Sequence, residues 1–225
     1  MTVLTVEGRA ERRVPAERGT VQLDVAAEGA DRGAVVAEAT GLHARLVEHV
    51  RRLAAEGTVT RWSADRVRVG SSRPWSPTGE QLPPVHVAAV ALEAETADPE
   101  ALAALVEEAA SHEGVTVTGV HWSLTDATRA AVVAEVEDAA VRDAVDRAGR
   151  RAHSLGLGAV QATAVADAGL LGEGPSAPPG GPGGGPGGPG LARALAAPVQ
   201  DGAALDLTPE PVTVTAVVHA RFTAS

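Results

Sequence analysis

Histidines, carboxylates and tryptophans are the side chains that could do chemistry in this chain. His43 and His49 stand six residues apart in a segment of helical period, about 120° away from alignment on one face. Helical zinc pairs stand four apart, so these two read as surface histidines and not as metal ligands. His86, His121 and His219 fall in segments of strand period and would form a metal site only if those strands converged. With no cysteine and no acidic ligand motif beside them, no metal is expected. Glu137, Asp138, Asp143 and Asp146 crowd a charged helical stretch. Acid–base work requires a buried carboxyl with a raised pKa, so a solvated helix face is the expectation there. There is no G-x-S-x-G, no G-x-x-x-x-G-K and no H-E-x-x-H, and no nucleophile, base and orienting group can be placed together, so no enzyme and no cofactor are expected.

The tryptophans carry more information because aromatics make up only 2% of the chain: three Trp, one Phe and no Tyr. Trp75 lies in a proline-rich stretch, RPWSP, where an exposed indole could anchor a partner or a neighbouring subunit; covering one end of a sheet is its other reading. Trp62 and Trp122 fall in strand-like segments and are expected in the core or at a subunit interface.

Composition limits the partners. The formal charge is -10, with no lysine and with arginine clustered no further than short pairs such as Arg51-Arg52 and Arg150-Arg151, which disfavours a nucleic-acid surface. No apolar run reaches the roughly 18 residues of a membrane span, and the opening MTVLTVEGRAERRV lacks the apolar segment of a signal peptide, so a cytoplasmic protein is expected. A 44% hydrophobic content, mostly alanine and valine, supports a core of small aliphatic side chains.

Elements that would position these residues follow from periodicity. Thr2 to Val14 alternates with period two, a turn lies at Pro15 to Gly19, and TVQLDVAAE alternates again, which predicts a hairpin. Asp31 to Glu56 has helical spacing and ends at Gly57. Two strands are expected at Thr60 to Val69 and Pro84 to Thr96, joined by the loop SSRPWSPTGEQLPP; VHVAAVALEAE is apolar at both parities and should be buried on both faces. A second helix opens at Asp98-Pro99 and closes near Gly114, followed by a strand at Val115 to Leu124. From Thr20 onward this gives strand, helix, strand, strand, helix, strand, the ferredoxin-like order. A long helix over Asp126 to Leu155, about 45 Å in length, has its apolar stripe at Ala130, Val133, Val136, Ala140, Ala144, Val145 and Ala148. Ala159 to Asp167 and the tail PVTVTAVVHARF are the last strands. Between them GPSAPPGGPGGGPGGPG, Gly174 to Gly190, has almost nothing to bury and is expected to be a mobile linker.

Four stretches, VEGRAERRVPAERGTVQLDV, VHWSLTD, RAHSLGLGAVQATAVAD and PEPVTVTAVVHARF, together resemble the SIMPL-domain family, a domain of unknown function. Gly8, Val14, Pro15, Ser123, Asp126, Leu155, Gly156, Val212, Val214, Ala216, Val218 and Phe222 sit where family members carry matching residues. The resemblance implies an α+β fold: antiparallel sheets with helices on one face, a ferredoxin-like βαββαβ part over about 20–124, and a remaining part from 1–14, 125–168 and 210–225, with a flexible insertion at about 170–208, all within one domain over 1–225. It also implies self-association into ring-like or channel-like homo-oligomers, since family members include such assemblies alongside periplasmic immunogenic and oxidative-stress defence proteins. The expected function is a non-enzymatic, self-assembling SIMPL-domain protein acting as an oligomeric scaffold or stress-associated binding component. The alternative is a small-molecule or metal-binding module with a pocket near the Trp75 loop.

Overall fold

The computed structural model describes residues 1–171 and 207–225; the Gly174–Gly190 tract and the linker expected there lie outside the described residues. The elements in chain order are β1 (Thr2–Val14), β2 (Arg18–Gly29), α1 (Arg32–Ala55), β3 (Val59–Ala64), β4 (Arg68–Ser72), β5 (Val85–Thr96), α2 (Pro99–Ala110), β6 (Val115–Ser123), α3 (Asp126–Ser154), β7 (Gln161–Asp167) and β8 (Val212–Ala224). The fold is α+β. Its described residues divide into two compact units: unit 1 comprises 1–12, 131–171 and 214–225, and unit 2 comprises 13–130 and 207–213.

Unit 2 is the ferredoxin-like part. Its sheet runs β3-β5-β2-β6, with β4 also paired to β5. β2 pairs antiparallel with both β5 and β6, placing Leu23 opposite Leu92 and Val21 opposite Val120. The apolar parity of β2 and β5, Val21, Leu23, Val25, Val90, Leu92 and Ala94, packs into one core with Leu42, Leu46 and Val50 of α1 and Leu102, Leu105 and Ala109 of α2, so both helices cover the same face. Each helix starts where an aspartate accepts a backbone N–H: Asp31 from Ala34 at 2.7 Å and Asp98 from Glu100 at 2.9 Å. Gly57 and Gly114, at φ +81° and +80°, turn the chain after them.

Two expectations about this unit are corrected. The strand anticipated over Thr60 to Val69 is two strands, β3 and β4, which pair with successive halves of β5 and are separated at Asp65 to Val67. β5 is not buried on both faces. Ala88, Val90, Leu92 and Ala94 are buried, whereas Val87 and Glu93 of the other parity are exposed, because both helices lie on one side. Short alanines between the valines obscured that alternation.

Unit 1 holds a three-stranded sheet of order β1-β8-β7. β1 therefore does not form a hairpin with β2: the two strands join different sheets. Period two reports which face of a strand is apolar, and it does not name the partner. α3 packs on this sheet through Val132, Val136, Ala140, Ala144, Ala148 and Ala152, a stripe at strict fours in which Val145 of the anticipated stripe is instead exposed. Small side chains let the backbones come close, and β1 contributes Gly8 at the contact. A Cβ built there would lie 2.7 Å from Ala144 N and 2.8 Å from Ala144 Cβ, and closer still to Ala140 O. Val6, Val218, Ala220 and Phe222 complete the core. Among the described residues no helix is long and apolar enough to cross a membrane.

Candidate functional site

All three tryptophans belong to unit 2 and occupy different environments. Trp62 on β3 packs half-buried against the core, with the Arg51 guanidinium 5.6 Å from its ring centroid. Trp122 on β6 also packs against this core, and its ring lies over Gly19, where a Cβ would come within 2.6 Å of Cζ3. Trp75 stands apart at 68% exposure. Its loop is nonetheless built. Trp75 bridges to Gln81, the Leu82 N–H donates to Pro74 O at 2.9 Å, and the Ser76 N–H donates to Glu80 O at 2.8 Å. A short closed turn thus holds the indole outward.

The strand histidines do not converge. His86 lies opposite Gly29 and His121 opposite Thr20, nine positions apart along β2 or about 30 Å at strand rise. His219 belongs to unit 1, where its Nε2 stands 3.3 Å from Glu7 Oε2 and its Nδ1 accepts from the Gly169 N–H at 3.2 Å. On α1, burial pushes the pKa of His43 down. Among the described residues there is no group of three or more His, Asp or Glu able to hold a metal ion. Of the acidic residues on α3, Asp138 pairs with Arg142, while Asp143 accepts the Arg9 backbone N–H at 2.9 Å and pairs with Arg147 at 2.7 Å, bonds that hold its carboxyl below the usual range.

One polar cluster has no counterpart in the sequence reading. Glu95 on β5 is only 5% exposed, although it belongs to the parity facing away from the helices. Its carboxylate accepts from Arg18, from Thr60 Oγ1 at 2.9 Å and from Arg61 Nη2 at 3.2 Å. Thr60 is the extra residue of a bulge in β3 between Val59 and Arg61, a device that re-aims side chains. Burial alone would raise the pKa of Glu95; the hydrogen bonds from Arg18 and Thr60 and the charges of Arg61 and Arg18 outweigh it, and the net direction is down. Beside it opens a hollow of about 290 Å³ lined by Thr20, Arg61, Trp62, Ser63 and Glu93. A carboxyl held ionised by two arginines ties three strands together and is poorly placed to donate a proton.

The outer edge of β6 is the other notable surface. β6 ends the strand order, and its nine residues, VTVTGVHWS, include neither a charge nor a proline. Thr116, Thr118 and His121 are exposed along it.

Against known protein families, residues 4–222 match the family model described as SIMPL, Protein of unknown function (DUF541). The chain belongs to the SIMPL family. No curated protein matches it in sequence. In this SIMPL chain, two of the stretches that carry the resemblance meet physically. Glu17, in the turn after Val14-Pro15, accepts from Thr125 N at 2.7 Å, Thr125 Oγ1 at 2.8 Å and Thr128 Oγ1 at 2.8 Å, at the entry of α3. The Glu17 N–H in turn donates to Ser123 O at 2.9 Å. The backbone bond from Thr125, then the two hydroxyl bonds, hold the Glu17 carboxyl below its ordinary pKa. In the SIMPL pattern of this chain, then, the VP turn and the S-x-x-D helix entry together form a cap built from both sides.

Proposed function

We propose that this SIMPL-domain protein is a non-enzymatic, self-assembling component of the cytoplasm, acting as an oligomeric scaffold or stress-associated binding protein. The observation that carries the proposal is the β6 edge. Folded proteins commonly blunt sheet edges with charges, prolines, bulges or covering segments; the nine-residue β6 edge has one bulge, at Thr118, but neither charge nor proline, and its β-branched residues on either side of the bulge can take another strand. In favour of the non-enzymatic part, the buried carboxylate of Glu95 is engaged by Arg18, Thr60 and Arg61, an arrangement that anchors three strands. The test is the absolute mass of the full chain by light scattering coupled to size exclusion, over a range of concentrations. A stable mass of several chains is expected, reduced when the edge is charged by Thr116→Lys with His121→Lys. A mass of 22.7 kDa at every concentration overturns the proposal.

The outward indole of Trp75 favours a second reading, a binding module for a small molecule or metal near that loop. Its test is a ligand-dependent rise in Tm that Trp75→Ala abolishes.

A further inference from the structure

The geometry points to a second copy of this chain as the partner of α3, docked through two oppositely charged flanks of unit 1. This rests on the self-assembly proposed above and adds a second contact surface beside the β6 edge. Ala148 and Ala152 face the sheet, and Arg147 and Arg151 each precede one of them, about 100° around the helix to one side. With Arg150, Leu155 and Leu4 of β1 they line an open hollow of about 520 Å³. Val136 and Ala140 also face the sheet, and Glu137 and Val141 each follow one of them, about 100° to the other side. With Val133, Asp138, Val217 of β8 and Asp167 of β7 they line a groove of about 780 Å³.

These two flanks belong to opposite margins of the unit. β1 and β7 are the two edges of the order β1-β8-β7, and the basic hollow takes Leu4 from β1 whereas the acidic groove takes Asp167 from β7. Each flank has an apolar centre and a charged rim, the anatomy of a protein interface. Leu155 is 61% exposed in the hollow, and Val133, Val141 and Val217 supply the floor of the groove. Arg147 and Arg151 are only partly engaged, by Asp143 and by Thr5 O, which leaves further guanidinium N–H groups for carboxylates. In a chain of net charge -10, a three-arginine hollow is complementary to the chain's own groove, whose acidity comes from Glu137 and Asp167 beside an Asp138 that pairs with Arg142. Because hollow and groove are different patches, the contact is head-to-tail. Repeated, it closes into a ring or runs on as a filament.

A charge swap in trans tests this. Arg150→Glu with Arg151→Glu reverses the hollow, and Glu137→Arg with Asp167→Arg reverses the groove. Each double variant alone is expected to fall below the wild-type mass, because the β6 edge is left as its only contact. An equimolar mixture is expected to recover the wild-type mass, because every hollow then finds a groove of opposite sign. Raising the salt concentration tenfold should lower the wild-type mass, since the rims are exposed and screened. If wild type is an oligomer and both variants keep its mass, this interface is wrong while self-assembly stands. The interface is equally wrong if the mixture of two variants with native circular dichroism stays below the wild-type mass, or if the wild-type mass ignores salt. A wild-type monomer removes both inferences.

Discussion

Replacing Gly8 by alanine should damage unit 1 far more than a single methyl suggests. The added Cβ would stand 2.7 and 2.8 Å from Ala144 N and Cβ, and nearer still to Ala140 O. Ordinary carbon contacts lie at about 3.5–4.0 Å, so the overlap is about 1 Å. The obstructing atoms are helix backbone and cannot rotate aside. β1 must retreat from α3, thinning the contact of Val6 and Phe222 with the alanine stripe. Overpacking of a core costs about 1–3 kcal/mol when side chains can adjust, and a clash with fixed backbone belongs at the upper end, about 3 kcal/mol. For a chain of this length each kcal/mol shifts Tm by roughly 2–4 °C, giving a loss of roughly 6–12 °C. The choice of assay matters because Trp62, Trp75 and Trp122 all lie in unit 2, so tryptophan emission is blind to unit 1. Far-UV circular dichroism includes α3 and the three-stranded sheet and should show the loss ahead of the emission. A Gly8→Ala protein melting within roughly 1 °C of the parent by circular dichroism would refute the close-approach argument.

Gly149→Ala, on the same helix at a site where a Cβ meets nothing within 4 Å, should carry the opposite sign and stabilise by about 0.5–1 kcal/mol, checked by the same melts. Glu95→Ala should cost about 2–3 kcal/mol by denaturant titration, below the full cost of breaking a buried pair because Arg18 and Arg61 can rehydrate; a change under about 0.5 kcal/mol would show the cluster to be ornamental. Glu17 has a lowered pKa in the fold, so its contribution is fully present above the ordinary value of 4.5 and fades as pH falls through the folded value. Tm measured from pH 7 down to pH 3 should therefore show wild type above Glu17→Gln at neutral pH and the gap closing in acid; a gap independent of pH would count against the carboxylate cap.

Element type was legible wherever one physical rule acts alone. Asp98 announced its helix by capping and the first helix was announced by its spacing, Gly57 and Gly114 closed them, and the strand periods of β1, β6, β7 and β8 placed those segments. Sheet membership was not legible, because alternation in β1 and β2 states a face and leaves the partner open. Nor could sequence separate Glu95 from Glu93: both alternate in the same strand, and only the bulge at Thr60 and the approach of Arg18 bury one while the other stays exposed. Trp75 could be singled out from its prolines, but its outward pose depends on backbone bonds of the turn, which composition does not encode. The two flanks of α3 were hidden because the anticipated stripe included Val145, which blurs the line dividing arginines from carboxylates.

The order β1-β8-β7 places between β1 and β7 a strand that follows both of them in the chain. On the ribosome, unit 2 has nearly all of its residues in one continuous run and can fold as soon as β6 emerges. β1 precedes all of unit 2, and must wait for Val212–Ala224 before its sheet can close. Premature termination before Val212 would thus spare the ferredoxin-like half and leave β1 and β7 with no strand between them. Quality control of nascent chains would meet such a product as a native fold preceded by a long, unpaired strand.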